Sequence, residues 1–224
     1  MVEIATIAQI VAVISACWVI ITGVGAWKRE FIGKRQIELA EQVLAKFFEV
    51  KDAIAYIRNP FASSDEGKTR QRLAGETTAE SELLDRGYIV VERYSKKENI
   101  FAEFNTLKYK FMASFGLETQ KIFIDTNKAL NSIFVSARML SMHYWQRQGR
   151  VQMDHDEFQR HLDEMRRHEG IFWDIDSDAD EIHIQLNAIQ DKLEQATATC
   201  FQEPMSTFRI LTKKCYSLIR DGSK

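Results

Sequence analysis

Glu157, His161, Glu164 and His168 are spaced four, three and four residues apart. On a helix that spacing stacks two imidazoles and two carboxylates along one face. Imidazole and carboxylate are ligands that a zinc-like ion accepts, so these four are the metal candidates of the chain. The pattern is neither the His-Glu-x-x-His face of zinc proteases, in which two histidines lie four apart around a glutamate, nor the Glu-x-x-His pair of di-iron bundles. Arg160, Arg166 and Arg167 are interleaved with the four, which favours a solvated face with Glu-to-His pairs and no metal.

Two other stretches imitate ligand sites. Ala62 to Thr69 ends in Gly67-Lys68-Thr69 like a phosphate-binding loop, with Ala62 in place of the first glycine. Such a loop needs a buried strand before it and a helix after it, so that backbone N–H groups converge on phosphate. Here Asn59-Pro60 closes a helix before the stretch, and Arg70-Gln71-Arg72 leads on to Gly75, so no nucleotide site is expected. Asp174, Asp176, Asp178 and Asp180 alternate as at the start of a calcium loop. Ala179 then stands where the sharp turn needs glycine, and Gln185 where a bidentate glutamate should close the site. The expectation is an acidic helix start, favourable to the helix dipole.

The elements that must carry these side chains read as helices. Ala40, Val43, Phe47, Val50, Ile54 and Ile57 recur at steps of three and four, widened by Ile37 and Leu44, until Asn59-Pro60 stops the helix. Phe61 to Thr77 is polar and reads as an exposed loop. Thr77 and Glu80 have capping-box spacing for one long helix to about Ser114, although Lys96-Lys97-Glu98 interrupts its apolar stripe. A further helix is expected from Glu118 to Gln148, another after Asp154 through Phe172, a fifth carrying Ile182, Leu186, Ile189 and Leu193, and a sixth from Pro204. No stretch alternates with a period of two, so the fold class is all-α, an antiparallel helical bundle with almost no sheet.

From Ile4 to Trp27 no side chain is charged. At a helical rise of about 1.5 Å this run spans roughly 36 Å, enough to cross a hydrocarbon core of about 30 Å. Val24-Gly25-Ala26 has the small-x-small look of a cleavage site. The region before the run, Met1-Val2-Glu3, has no basic residue, however, and the run is longer than a secretory signal, so an uncleaved anchor is expected. Lys28, Arg29, Lys34 and Arg35 come directly after it, which directs the large domain to the cytoplasm and the N-terminus to the periplasm. With Trp27 they form the expected membrane-surface segment, where each basic residue adds roughly 1 kcal/mol of attraction to anionic lipid. Inside the run, Ala5, Ala8, Ala12, Ser15, Val19, Thr22 and Ala26 recur at alternating steps of three and four, a mostly small-residue seam expected to bring copies of the helix together. The organisation expected is therefore an anchor at 1–27, a juxtamembrane amphipathic helix at 28–58 joined to the anchor through Gly33, an exposed loop at 59–77 and a cytoplasmic helical bundle at 78–224.

Lys and Arg number 30 against 32 Asp and Glu, a formal net charge of −2, so no basic excess suggests a nucleic-acid partner. The three cysteines, Cys17, Cys200 and Cys215, are scattered, which fits neither a disulfide framework nor a paired metal motif.

Trp27 to Glu41, Ile57-Arg58-Asn59-Pro60-Phe61, Arg86 to Tyr94 and Ile133 to Leu140 together resemble a family of uncharacterised bacterial single-pass membrane-anchored helical proteins. The resemblance covers Trp27 to Trp173. It implies a bacterial inner-membrane location and attaches no activity, cofactor or catalytic residue. The function expected is a non-enzymatic interaction or sensor module, homo-oligomeric, in contact with membrane lipid and with an unidentified protein partner. A pore-forming or bilayer-perturbing oligomer is the alternative, and a metal-dependent activity on the His161 face the third reading.

Overall fold

In the computed structural model the described residues are 2–175, 177 and 179–201, with backbone alone for 2–10, 21 and 26. The expected helix at Pro204 lies outside them, as do Asp176 and Asp178. Helices account for nearly all the regular structure, and no strand occurs among the described residues.

The first helix, α1, runs over Val2–Arg58 without a break at Gly33. It ends before Asn59-Pro60 because proline has no N–H to donate and pushes the residue before it out of the helical region. Contacts divide the chain into a unit Leu39–Ala196 and a second unit that contains Met1–Glu38. Within the first, Ala40, Val43, Phe47, Val50, Ile54 and Ile57 are fully buried or nearly so, which is the stripe read from the sequence. In the second, one helical stretch is long and apolar enough to cross a membrane, and its apolar window is 0% buried. Val11, Ile14, Trp18, Val19, Ile20 and Val24 are all exposed there.

Residues 59–77 have no helix or strand. Helix α2, Thr78–Ser95, starts with the expected capping box, the Thr77 hydroxyl accepting from the Glu80 N–H while the Glu80 carboxylate accepts from the Thr77 N–H. The single long helix expected to Ser114 is in fact two, since α3 begins afresh at Glu98–Phe115. Lys96 and Lys97 form the break, and the charged stretch offers no apolar face to bury there. Inside the bend, Tyr94 and Phe101 close up with ring centroids 5.3 Å apart.

The helix expected from Glu118 to Gln148 is likewise divided. A single 3-10 turn, Leu117–Thr119, precedes α4, Gln120–Met139, and a π turn, Leu140–Tyr144, leads into the short α5, Trp145–Arg147. The extra residue of a π turn rotates the helix beyond it, and Trp145 becomes buried while Tyr144 is left half-buried. Helix α6, His155–Phe172, is capped by the Asp154 carboxylate, which accepts from the Glu157 N–H at 2.8 Å. Helix α7 is Glu181–Phe201.

The core of the Leu39–Ala196 unit is an aromatic ladder. Phe47 of α1 meets Phe104 of α3 at 5.9 Å, Phe104 meets Phe123 of α4 at 4.6 Å, and Phe123 meets Phe111 at 6.1 Å. Each such fully buried ring contributes roughly 2–3 kcal/mol. Helix α4 packs on α6, α2 and α3, with the π turn between α2 and α6.

Candidate functional site

The buried stripe of α6 is His161, Met165, Ile171 and Phe172, so the helix turns His161 into the bundle, with His168 half-buried beside it, and leaves Glu164 exposed. The solvated face with Glu-to-His pairs does not form. Glu157 pairs with Arg147 at 3.1 Å, and the exposed Glu164 with Arg167 at 3.4 Å. The four residues therefore do not converge on one point, and among the described residues the three-donor group of metal-ligand spacing lies elsewhere. The reason is packing: α6 must bury a stripe against α4 and the π turn, and that stripe contains His161, with His168 at its edge.

The π turn builds the histidine environment. Tyr144 lies between His161 and His168, at ring centroid distances of 5.5 and 5.3 Å, and His143 lies edge-on to Tyr144 at 5.1 Å. His168 Nδ1 is 3.0 Å from the buried Ser136 hydroxyl of α4. His161 is 6% exposed, and its Nε2 has no hydrogen-bond partner among the described residues. Burial pushes the His161 pKa down, and nearby Arg147 and His143 push the same way against the weaker pull of Glu157. Burial followed by Arg167 lowers His168 too, opposed by Glu164. Both imidazoles are thus held in the neutral form near neutral pH. Neither Tyr144 nor Ser136 stood out in the sequence as a neighbour of these histidines, because the π turn that aims Tyr144 has no signature in residue types.

The group with metal-ligand spacing is Asp174, Asp180 and His183, whose donor atoms lie within 4.8 Å of one another. Asp180 is already committed. Its Oδ1 accepts from the N–H groups of Ile182 and His183 at 2.9 and 3.1 Å, capping α7, and its Oδ2 accepts from Arg58 Nη2 at 2.6 Å. Arg58 is itself fully buried and donates to the carbonyls of Gly170, Ile171 and Trp173. A cation at Asp180 would face that guanidinium, and His183 Nε2 sits 3.3 Å from Asp174 Oδ2 as a simple pair. The acidic start of α7 is therefore a helix cap joined to a buried ion pair. Arg58 continues the buried stripe one step of four beyond Ile54, and that step was the signal that would have found it.

The loop at 59–77 is tied down rather than free. Gly67, at φ +86, brings its backbone against α2, where a Cβ would lie 2.0 Å from the Asp85 carbonyl. Its N–H and the Thr69 hydroxyl both donate to the Glu92 carboxylate at 2.9 Å, so a side chain of this protein occupies the place a phosphate would take. Arg93 clasps the loop through the carbonyl of Phe61 and the carboxylate of Glu66. Arg70 spans Glu76 and Asp85, and its hydrogen bonds hold the Glu76 carboxyl down at about 2.

On the apolar stretch of α1, Ala12, Ser15, Val19 and Thr22 of the small-residue seam are exposed, whereas the side chains of Ala5, Ala8 and Ala26 lie outside the described residues. The Ser15 and Thr22 hydroxyls donate to their own helix, at Val11 and Trp18, so close approach of backbones rather than hydroxyl bonding is what the seam offers. Trp27 stacks on Phe31 at 5.9 Å, both exposed, beside exposed Lys28, Arg29, Lys34 and Arg35. Compared with protein-family models, curated proteins and solved structures, the chain finds no match.

Proposed function

We propose that this protein is a membrane-anchored helical interaction or sensor module of the bacterial inner membrane, acting through protein contacts and not through catalysis. The observation that carries the reading is the exposure of Val11, Ile14, Trp18, Val19, Ile20 and Val24 on a helix with membrane-spanning length and hydropathy. Apolar side chains left uncovered along a whole helix are stable in lipid and unstable in water. Trp27, Phe31 and the basic residues beside them suit the headgroup layer, and their position after the span favours a cytoplasmic bundle and a periplasmic N-terminus. The seam through Ala12 and Ser15 favours association of copies.

A cysteine placed at Ser64, with the native cysteines replaced, tests the location. It should resist impermeant thiol reagents in intact spheroplasts and react after lysis. Ready labelling in intact cells would overturn the orientation, and release of the protein by alkaline carbonate would overturn the anchor. Purified protein in liposomes should give no conductance; steady channel currents would replace the interaction reading with a pore.

A further inference from the structure

We propose that the His161–Tyr144–His168 stack is an acid-operated latch, which holds α6 on the π turn while its imidazoles are neutral and releases the N-terminal part of α6 when they take up protons. This gives the sensor reading a stimulus. It rests on the geometry of the bundle alone, so the membrane assignment and the latch can fail separately.

His161 Nε2 is buried and has no partner among the described residues. A buried neutral imidazole with one nitrogen unbonded is tolerable, but a proton added there creates a buried cation with nothing to receive its N–H. The groups that face His161 make matters worse. From the π turn comes His143, from α5 comes Arg147, and the one carboxylate, Glu157 on α6 itself, is already bound to Arg147. Tyr144 offers its ring. His168 meets Ser136 from α4, Tyr144 from the π turn, and Arg167 and Glu164 along α6. Among the described residues no carboxylate from a neighbouring element faces either ring, so a proton on His161 is resisted by burial, and one on His168 meets only the Ser136 hydroxyl, with Glu157 and Glu164 of α6 giving the weaker opposing pull.

Both groups have lowered pKa values in the packed state, and this sets the direction of the response. In the released state they take up protons near the ordinary value of 6.5, and in the packed state only at lower pH. The packing contribution is complete above about 6.5 and is lost as pH falls through the packed-state values. The far end of α6 stays fastened, because Arg58 holds the carbonyls of Gly170, Ile171 and Trp173 and none of these contacts involves an imidazole. Release should therefore be confined to the turns around His161 and His168.

Hydrogen exchange of the full chain in detergent micelles, read by mass spectrometry and corrected for the intrinsic pH dependence of exchange, tests this. Between about pH 7.5 and pH 5, protection of peptides from 155–168 should fall, by up to about tenfold per pH unit for each proton taken up, while peptides from α2 and α3 keep theirs. His161→Gln, neutral at every pH used, should cut the α6 response to the share that His168 carries. Equal acid loss in the variant, or full α6 protection in the wild type at about pH 5, would overturn the latch. Should the variant lose α2 and α3 protection already at neutral pH, the wild-type His161 imidazole titration, read by NMR, decides instead. A midpoint below 6.5 supports the latch, and a midpoint at or above 6.5 sinks it.

Discussion

Arg58 and Asp180, 122 residues apart in the chain, meet as a fully buried ion pair with 2.6 Å between Nη2 and Oδ2. The pair joins the end of α1 to the start of α7, and through the carbonyls of Gly170, Ile171 and Trp173 it also closes the end of α6. Burial alone would raise the Asp180 pKa, but the Arg58 hydrogen bond and the His183 N–H outweigh it and hold the carboxyl below its ordinary value.

Removing one partner strands the other. Asp180→Ala should destabilise the bundle by about 3–5 kcal/mol, since it leaves an uncompensated buried guanidinium and uncaps α7. In many proteins replacing both members of a buried pair with apolar residues restores stability. Here Arg58→Met with Asp180→Leu should recover little, because three carbonyls and two N–H groups still lose their partners. Denaturant midpoints read by circular dichroism on the full chain check both outcomes. Because the Asp180 pKa is lowered, the stability this pair contributes is present above about pH 3.8 and is lost only as pH falls further, well below the range in which the histidines act.

Gly87 lies where α2 crosses the π turn, and a Cβ there would meet Ser141 Cβ at 2.5 Å and the Ala137 carbonyl at 3.0 Å. Gly87→Ala gains about 1 kcal/mol of helix propensity, yet overpacking two backbones costs about 1–3 kcal/mol, so a net loss of up to about 2 kcal/mol is expected. Adding Ser141→Gly removes the facing Cβ but places a glycine in the π turn, at a cost of about 0.5–1 kcal/mol, and leaves the Ala137 carbonyl, so the double variant should recover only part of the clash. Thermal melts of the two variants decide it; a Gly87→Ala protein more stable than wild type would mean that the helices do not approach so closely.

Association of the anchor is open to crosslinking. Cysteines at Ala8 and Ala12, in a background without Cys17, should form disulfides between copies more readily than cysteines at Ile7 and Val11, and Ala12→Leu should weaken the oligomer. Crosslinking that is uniform around the helix, or absent, would remove the case for a seam.

What the sequence determined by itself was the all-helical class and those helix ends that carry a local signal. The uncharged run to Trp27, the stripe from Ala40 to Ile57, the stop at Asn59-Pro60 and the caps at Thr77 and Asp154 are local signals, because each depends on neighbours within one or two turns. The breaks at Lys96-Lys97 and at Leu140–Tyr144 were not so determined. Both stretches are compatible with continuous helix, and it is the need to bury Phe101 beside Tyr94 and Trp145 beside Phe172 that divides them. The same holds for α6, whose spacing placed Glu157, His161, Glu164 and His168 on one side and whose arginines pointed to a solvated face, the reverse of what His161 does. Only the packing of α6 on α4 and the π turn made His161 a buried neutral group and left Glu157 and Glu164 to the arginines. Charge and periodicity act along a helix, whereas burial is set by the element lying opposite, and opposite Arg58 lies an aspartate near the far end of the chain.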